Sequence, residues 1–480
     1  MRLFFLNPPF KYRISRASRW PEETKSGTLY YPFWLAYATG VAENSGFEVF
    51  LYDAIAEKSD FKKTLKKIME YEPDMLIMET VTPTIESDAK FANYVKKNYK
   101  DIPIVAVGPH VTALPEETLE NFKDFDFVAY GEFDYTIPEL AQNLGNPEKV
   151  KGIGFRENGK IILTPPRPPI KNLDELPFVS KVYKKFLNPY NYFYAFSLHP
   201  MIQIFSARGC PFKCVFCQLP QTLEGRIFRY RSPQNLIEEF KYIKEEMPFI
   251  KEIFIEDDTF TVNRKRVEEF CDLLIENEIK IPWSVNVRAD VPFNLLKKMK
   301  KAGARLLVVG YESGDQRILN LIKKGITLKQ SLEFTRNAKK IGFQIFGCFM
   351  LGLPGETKRE IYKTYKFAEK LNPDMVFFQH AMPFPGTEFY KWLKENNLLK
   401  AKKWSEWLDN IGRLKVIHSL PNLNQKEIEK LREKLMSKYY FRIYYFIRTF
   451  LKMLNPKETK HIVKASLSFL LYKIKRTLKK

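Results

Sequence analysis

Three cysteines occupy one short stretch, Arg208-Gly209-Cys210-Pro211-Phe212-Lys213-Cys214-Val215-Phe216-Cys217. The spacing is Cys-x3-Cys-x2-Cys. Three thiolates this close on a loop can each hold one iron of a 4Fe–4S cluster, which leaves the fourth iron without a protein ligand. An open metal position is where a substrate or cofactor binds. Structural zinc is the competing reading. It asks for four ligands, and no fourth Cys or His lies nearby in sequence. Two-cluster ferredoxins space their cysteines differently. Cys271 and Cys348 stand alone and read as buried apolar residues.

The elements that must position this loop alternate between short apolar runs and helix-period segments. In the second half the strands are expected at Ile202–Ser206, Ile253–Glu256, Trp283–Val287, Arg305–Gly310, Ile345–Met350 and Met375–Gln379. Six βα units imply a partial (β/α)6 barrel, whose ligands gather at the carboxyl ends of the strands. The cysteines follow the first of these strands. Acidic Glu256-Asp257-Asp258 ends the second, Arg288 the third and Glu312 the fourth, while Gly352 lies in the Gly-rich end of the fifth. Residues 1–145 carry their own alternation, with strands expected at Arg2–Leu6, Glu48–Tyr52, Met75–Met78, Ile104–Val107 and Phe127–Ala129. That pattern argues for a parallel, Rossmann-like α/β sheet. Residues 146–195, rich in Pro, read as a linker, 196–400 as the barrel and 401–480 as a helical basic extension.

With these residues in place, the chain resembles the radical S-adenosylmethionine (SAM) enzymes over about residues 200–385. The resemblance implies that the unique iron chelates the amino and carboxylate groups of SAM. One electron then cleaves SAM to a 5′-deoxyadenosyl radical. It also implies roles for residues of this chain. Phe216, one residue before the third Cys, abuts the adenine. Glu256, Asp257 and Asp258 stand where the family has a Gly-Gly-Glu-like stretch near the SAM amino group, although this chain departs from Gly-Gly-Glu. A carboxylate suits an ammonium there. Arg288 pairs with the SAM carboxylate, Glu312 bonds the ribose hydroxyls, and Gly352 belongs to an adenine-side glycine motif where backbone approaches closely. A one-electron reductant of the flavodoxin or ferredoxin type follows as a partner.

The first domain lacks the Gly-x-Gly-x-x-Gly of a dinucleotide site and has Asn7-Pro8-Pro9 after strand one. It resembles the cobalamin-binding domain that precedes many radical SAM barrels. The matching positions are Asn7 and Pro8, Thr82 after strand three, Gly108 and His110 after strand four, and Gly131 and Glu132 after strand five. These are strand carboxyl ends, where a flat corrin could rest. None of the five histidines has Asp two residues before it, so the Asp-x-His-x-x-Gly cobalt ligand is missing.

Net charge is +22, and residues 401–480 hold 20 Lys/Arg against 6 Asp/Glu. Beyond residue 438, Tyr440, Ile443, Tyr444, Ile447, Leu451 and Leu454 share one helical face, and Val463, Leu467, Leu470, Leu471, Ile474 and Leu478 share another. Basic amphipathic helices suit an anionic bilayer; docking on the barrel is the plainer alternative, and nucleic acid the least favoured partner. Neither a signal peptide nor a membrane-span-length apolar run is visible, and five cysteines make no disulfide scaffold. The expectation is a cytoplasmic protein, peripheral on the inner face of the membrane. The function expected is methylation or carbon–carbon bond formation at an unactivated carbon of a hydrophobic or lipid-like small molecule. Oxidative cyclisation, an RNA-modifying methylthiotransferase and a non-enzymatic iron–sulfur or corrinoid carrier are the alternatives. Methylthiotransferases normally carry a second cysteine triad in the N-terminal domain, and here no Cys precedes Cys210.

Overall fold

The computed structural model describes residues 1–24, 26–443 and 445. The N-terminal sheet comprises β1 (Arg2–Asn7), β2 (Glu48–Asp53), β3 (Met75–Glu79), β4 (Ile104–Val107), β5 (Phe127–Ala129), β6 (Ile153–Glu157) and β7 (Lys160–Leu163). Its spatial order is β2-β1-β3-β4-β5-β6-β7. The first five strands are parallel, and β6 and β7 append as an antiparallel hairpin. β3 and β4 are buried along their whole length. Continuous apolar runs of this kind mark parallel strands covered on both faces.

The second sheet holds β8 (Met201–Ile204), β11 (Glu252–Ile255), β12 (Trp283–Val287), β13 (Ala304–Glu312), β14 (Gln344–Leu351) and β15 (Met375–His380) in that spatial order. All are parallel, as a partial barrel requires. A small ribbon of β9 (Ala207–Arg208) and β10 (Arg229–Tyr230) brackets the cysteine loop. Three barrel-side helices begin with capping boxes: Thr327 with Gln330, Thr357 with Glu360, and Asn424 with Glu427. Each satisfies donors that the first helical turn leaves open.

Two expectations about the connections change. The segment read as a linker adds β6 and β7 to the N-terminal sheet, and then the helix Val179–Phe186. Its prolines masked the short Ile153–Glu157 strand, where Gly154 lets Leu163 and Val128 close in: a Cβ there would meet them at 2.6 and 2.9 Å. The stretch after residue 400 is packed structure up to Tyr440. The helix Gln425–Tyr440 buries Ile428, Leu431, Leu435 and Tyr439. Tyr439 Oη donates to Pro373 O at 3.1 Å, and Tyr440 Oη donates to Val376 O at 2.6 Å. Tyr440 therefore seals the β15 edge, and is not a bilayer contact. The remaining tail positions, Tyr444 and 447–478, lie outside the described residues.

The two units are joined by polar locks. Arg208 forks onto Asp134, and Arg229 reaches Glu132 at 2.8 Å. Tyr31 stacks on Tyr192 at 3.9 Å and donates to Met201 O.

Candidate active site

The cysteine loop is shaped before any metal arrives. Gly209 has φ +82°, and a Cβ on it would meet Ile227 O at 2.2 Å, so only glycine fits. Its N–H donates to Glu224 at 3.1 Å. Gln221 Nε2 donates to Cys217 O at 2.7 Å, and Arg226 to Phe212 O at 2.5 Å. Asp257 accepts from the backbone N–H groups of Ser206 and Ala207 at 2.7 and 2.9 Å, fixing the turn into the loop.

Cys210, Cys214 and Cys217 open into one cavity of about 1160 Å³ at the carboxyl end of the barrel. Burial pushes the Cys210 thiol up to about 11 and raises Cys214 and Cys217 as well. Buried sulfurs of this kind become thiolates when a metal takes them. Among the described residues no three His, Cys, Asp or Glu side chains converge on a single metal ion; a cubane instead takes its thiolates on separate irons.

The same cavity is lined by Phe216, Glu256, Asp258, Arg288 and Glu312. Glu312 has φ +62°, an uncommon backbone for a non-glycine residue. It holds Lys324 Nζ at 2.7 Å in a buried pair. Gly310 leaves the room, since a Cβ there would lie 2.4 Å from Glu312 Oε1 and 2.9 Å from Lys324 Nζ. Arg288 stacks on Phe212 at 3.6 Å and donates to Lys324 O and Gly325 O, so it ties the cysteine loop to the Lys324 turn.

Glu256 and Asp258 are met by Arg19, from the loop after β1, at 2.5 and 2.9 Å. Burial raises the Glu256 carboxyl while Arg19 pulls it back. The N-terminal loop thus reaches into the barrel mouth, and Ser15, Ser18, Ser26 and Thr28 line the cavity beside it. Arg19 and Lys324 escaped the sequence reading. Neither belongs to a motif, and only folding brings them beside the cysteines.

Asp257 and Gly352 are not among the cavity-lining residues. Asp257 is consumed by the turn described above. Gly352 packs on His418, which faces its carbonyl at 2.9 Å, and on Ile428, the two meeting a notional Cβ at 3.3 and 3.2 Å. Nor do Asn7, Pro8, Thr82, Gly108, His110, Gly131 and Glu132 line it. They sit at the ends of β1, β3, β4 and β5 as expected, but are engaged elsewhere. Asn7 accepts from Arg16 and donates to Asp53. Glu132 pairs with Arg229. His110 bonds Thr82 at 3.1 Å, and its ring meets Trp404 at 5.1 Å. Burial drops His110 to about 3, so its imidazole stays neutral. The segment carrying Trp404 crosses over this face, a long-range contact without a local signal.

Comparison with known proteins agrees with this architecture. The Radical SAM superfamily model matches residues 204–368, and the B12 binding domain model matches residues 24–141. An uncharacterised methyltransferase of Pyrococcus horikoshii is 33% identical over 92% of this chain and 93% of its own. The anaerobic magnesium-protoporphyrin IX monomethyl ester cyclase of Rubrivivax gelatinosus is 26% identical over 82% and 70%. Among solved structures, the radical SAM methyltransferase TsrM from Kitasatospora setae, with cobalamin and a 4Fe–4S cluster bound, shares the fold at a TM-score of 0.70. It is 14% identical, with 92% and 88% of the chains covered. OxsB, with aqua-cobalamin and SAM bound, does so at a TM-score of 0.70 and 16% identity, covering 98% and 72%. The chain belongs to the radical SAM enzymes that carry a cobalamin-binding domain. Its cofactors are those of the class: a 4Fe–4S cluster, SAM and cobalamin.

Proposed function

We propose that this enzyme methylates an unactivated carbon of a hydrophobic, lipid-like small molecule. The observation that supports it best is the shared cavity. Three cysteines, two carboxylates with a cation from the other unit, and an apolar barrel wall of Val308, Phe346 and Phe377 face one space. Its volume exceeds that usual for a single drug-sized ligand. When bound, the cofactors supply the electron that cleaves SAM to the 5′-deoxyadenosyl radical and methionine, and the methyl group.

In this reading each residue has a defined task. Cys210, Cys214 and Cys217 hold the cluster. Glu256 and Asp258 take the SAM ammonium, with Arg19 yielding part of their charge to it. Lys324, steadied by Arg288, meets the SAM carboxylate. Glu312 bonds the ribose, and Phe216 covers the adenine. The Ser and Thr residues of the 15–28 loop face the corrin, Asn7 and Pro8 hold that loop by accepting from Arg16, and Thr82, Gly108, His110, Gly131 and Glu132 shape the strand ends behind it. The functional units are then the N-terminal sheet, the barrel and the C-terminal segment that closes both. Oxidative ring closure is the second reading, because the cyclase relative spans most of this chain.

No helix among the described residues is long and apolar enough to cross a membrane. We place the enzyme in the cytoplasm, drawing electrons from a flavodoxin or ferredoxin and touching an anionic bilayer through its basic C-terminus. The test is anaerobic reconstitution with iron, sulfide and methylcobalamin, then SAM and dithionite. 5′-Deoxyadenosine is expected, and its absence overturns the enzymatic reading.

A further inference from the structure

Gln379 is a buried amide with nothing to hold. It is 4% exposed, it lines the cavity, and among the described residues neither Oε1 nor Nε2 has a hydrogen-bond partner. Leaving both ends of an amide unpaired costs free energy, and such a group in a native interior calls for an explanation. Its surroundings make the choice of residue stranger. Side chains alternate across a strand, and the cavity-facing stripe of β15 is Met375, Phe377, Gln379; that of β14 is Gln344, Phe346, Cys348, Met350. A Leu or Met would suit this wall.

The register gives Gln379 its height. It pairs with Met350, and Phe377 pairs with Cys348. On the next strand Cys348 pairs with Gly310, and Phe349 with Glu312. Glu312 is therefore level with Phe378, and Gln379 stands one residue above it, two strands away, about 10 Å across the sheet. Beneath it the wall carries Val308, Phe346, Val376 and Phe377, and polar Arg305, Gln344, Asp374 and Glu433 line its lower end. The cavity continues from Met350 down to Gln344, about 20 Å along the strand. On that side Met436 and Tyr440 of the C-terminal helix close it.

We propose that Gln379 orients the substrate. Its amide atoms have no accessible surface in the ligand-free protein, so a side-chain rotation turns them to a polar group with both a donor and an acceptor, a hydroxyl or an amide. The substrate's apolar chain runs down from there, between Phe346 and Phe377, toward Met375 and the C-terminal helix. The carbon beside the polar group then lies level with Glu312, at the cofactor end. The assignment rests on the reading of this cavity as the substrate site.

The test uses full-length reconstituted protein without SAM, and equilibrium dialysis with dodecan-1-ol and tridecane, chains of equal length with and without the hydroxyl. Leaving water favours tridecane over the alcohol at any apolar wall, so the readout is the change in the alcohol-to-tridecane ratio on mutation. Gln379→Leu should lower that ratio by about tenfold, as loss of one good hydrogen bond gives, while keeping tridecane binding. It should also raise the melting temperature of the ligand-free protein, because an unsatisfied polar group has been removed; a structural amide would do the opposite. A ratio untouched in Gln379→Leu, or a lowered melting temperature, each overturns the assignment. SAM cleavage in the same preparation separates the two claims. 5′-Deoxyadenosine with no change of ratio sinks Gln379 alone, and a changed ratio without 5′-deoxyadenosine sinks the proposed reaction alone.

Discussion

Arg208 donates two parallel hydrogen bonds to Asp134, at 2.8 and 2.9 Å, with both side chains buried. Arg208 stands two residues before Cys210, and Asp134 belongs to the N-terminal unit. The fork therefore fixes the cluster loop against the domain that matches the cobalamin-binding family. Removing Asp134 leaves Arg208 only Glu132, 3.7 Å away, for its buried charge, at a cost of up to about 3–5 kcal/mol. Asp134→Ala should lower the unfolding free energy by up to that amount, read from the urea midpoint, and reduce iron per chain after reconstitution. An unchanged midpoint would show that the pair does not hold the loop.

Replacing Cys210, Cys214 or Cys217 by Ser should abolish the iron–sulfur absorption and SAM cleavage together. Cys271 lies buried in the helix Arg264–Glu276, away from the cavity lining. Cys271→Ala should retain full iron. Iron loss in that variant would mean the cluster draws on a different thiol set.

The Lys324–Glu312 pair predicts a binding defect. Lys324→Met leaves Glu312 alone in the cavity and removes the cation assigned to the SAM carboxylate. The dissociation constant for SAM, measured by calorimetry on the reconstituted protein, should rise at least about tenfold. Gly310→Ala should act the same way by pushing the pair apart. Unaltered SAM affinity in Lys324→Met would remove that residue from the site.

Burial pushes the Glu79 carboxyl, which lacks hydrogen-bond partners among the described residues, from 4.5 up to about 8. Folding thus favours its protonated form. That contribution to stability is fully present below the unfolded value of 4.5, and it is lost as pH rises through about 8. Glu79→Gln keeps the shape and drops the titration. Its urea midpoint should fall less than that of wild type between pH 5 and pH 8. Parallel profiles would show that Glu79 does not titrate in this range.

Liposome flotation tests the basic C-terminus. A truncation after Tyr445 spares Tyr439 and Tyr440, which hold β15. Full-length protein should float with vesicles containing anionic lipid and lose this in high salt, whereas the truncated protein should stay at the bottom. Equal flotation of the two would reject the membrane role.

The strands were readable because each is a short apolar run between turns, and Trp283–Val287, Ile104–Val107 and Phe127–Ala129 match the expected bounds. The hairpin at 153–163 was hidden among prolines and glycines, and its strands form only by adding to an existing sheet edge. Asp257 was indistinguishable from Asp258 in sequence. The alternation of the strand end turns one toward the Ser206 turn and the other toward the cavity. Arg19 lies far from Glu256 in the chain, and no periodicity links them.

The sequence by itself determined that three thiols share one loop, because their spacing keeps them together wherever that loop goes. It also determined the order of βα units, because local apolar patterns set them. Only the tertiary structure decided which charged groups face the cysteines and which candidates at the N-terminal strand ends are covered. It also decided that Gln379 has no hydrogen-bond partner among the described residues. These are outcomes of contacts between distant segments, and they depend on register, strand facing and the path of the C-terminal segment, none of which is encoded in any one stretch of residues.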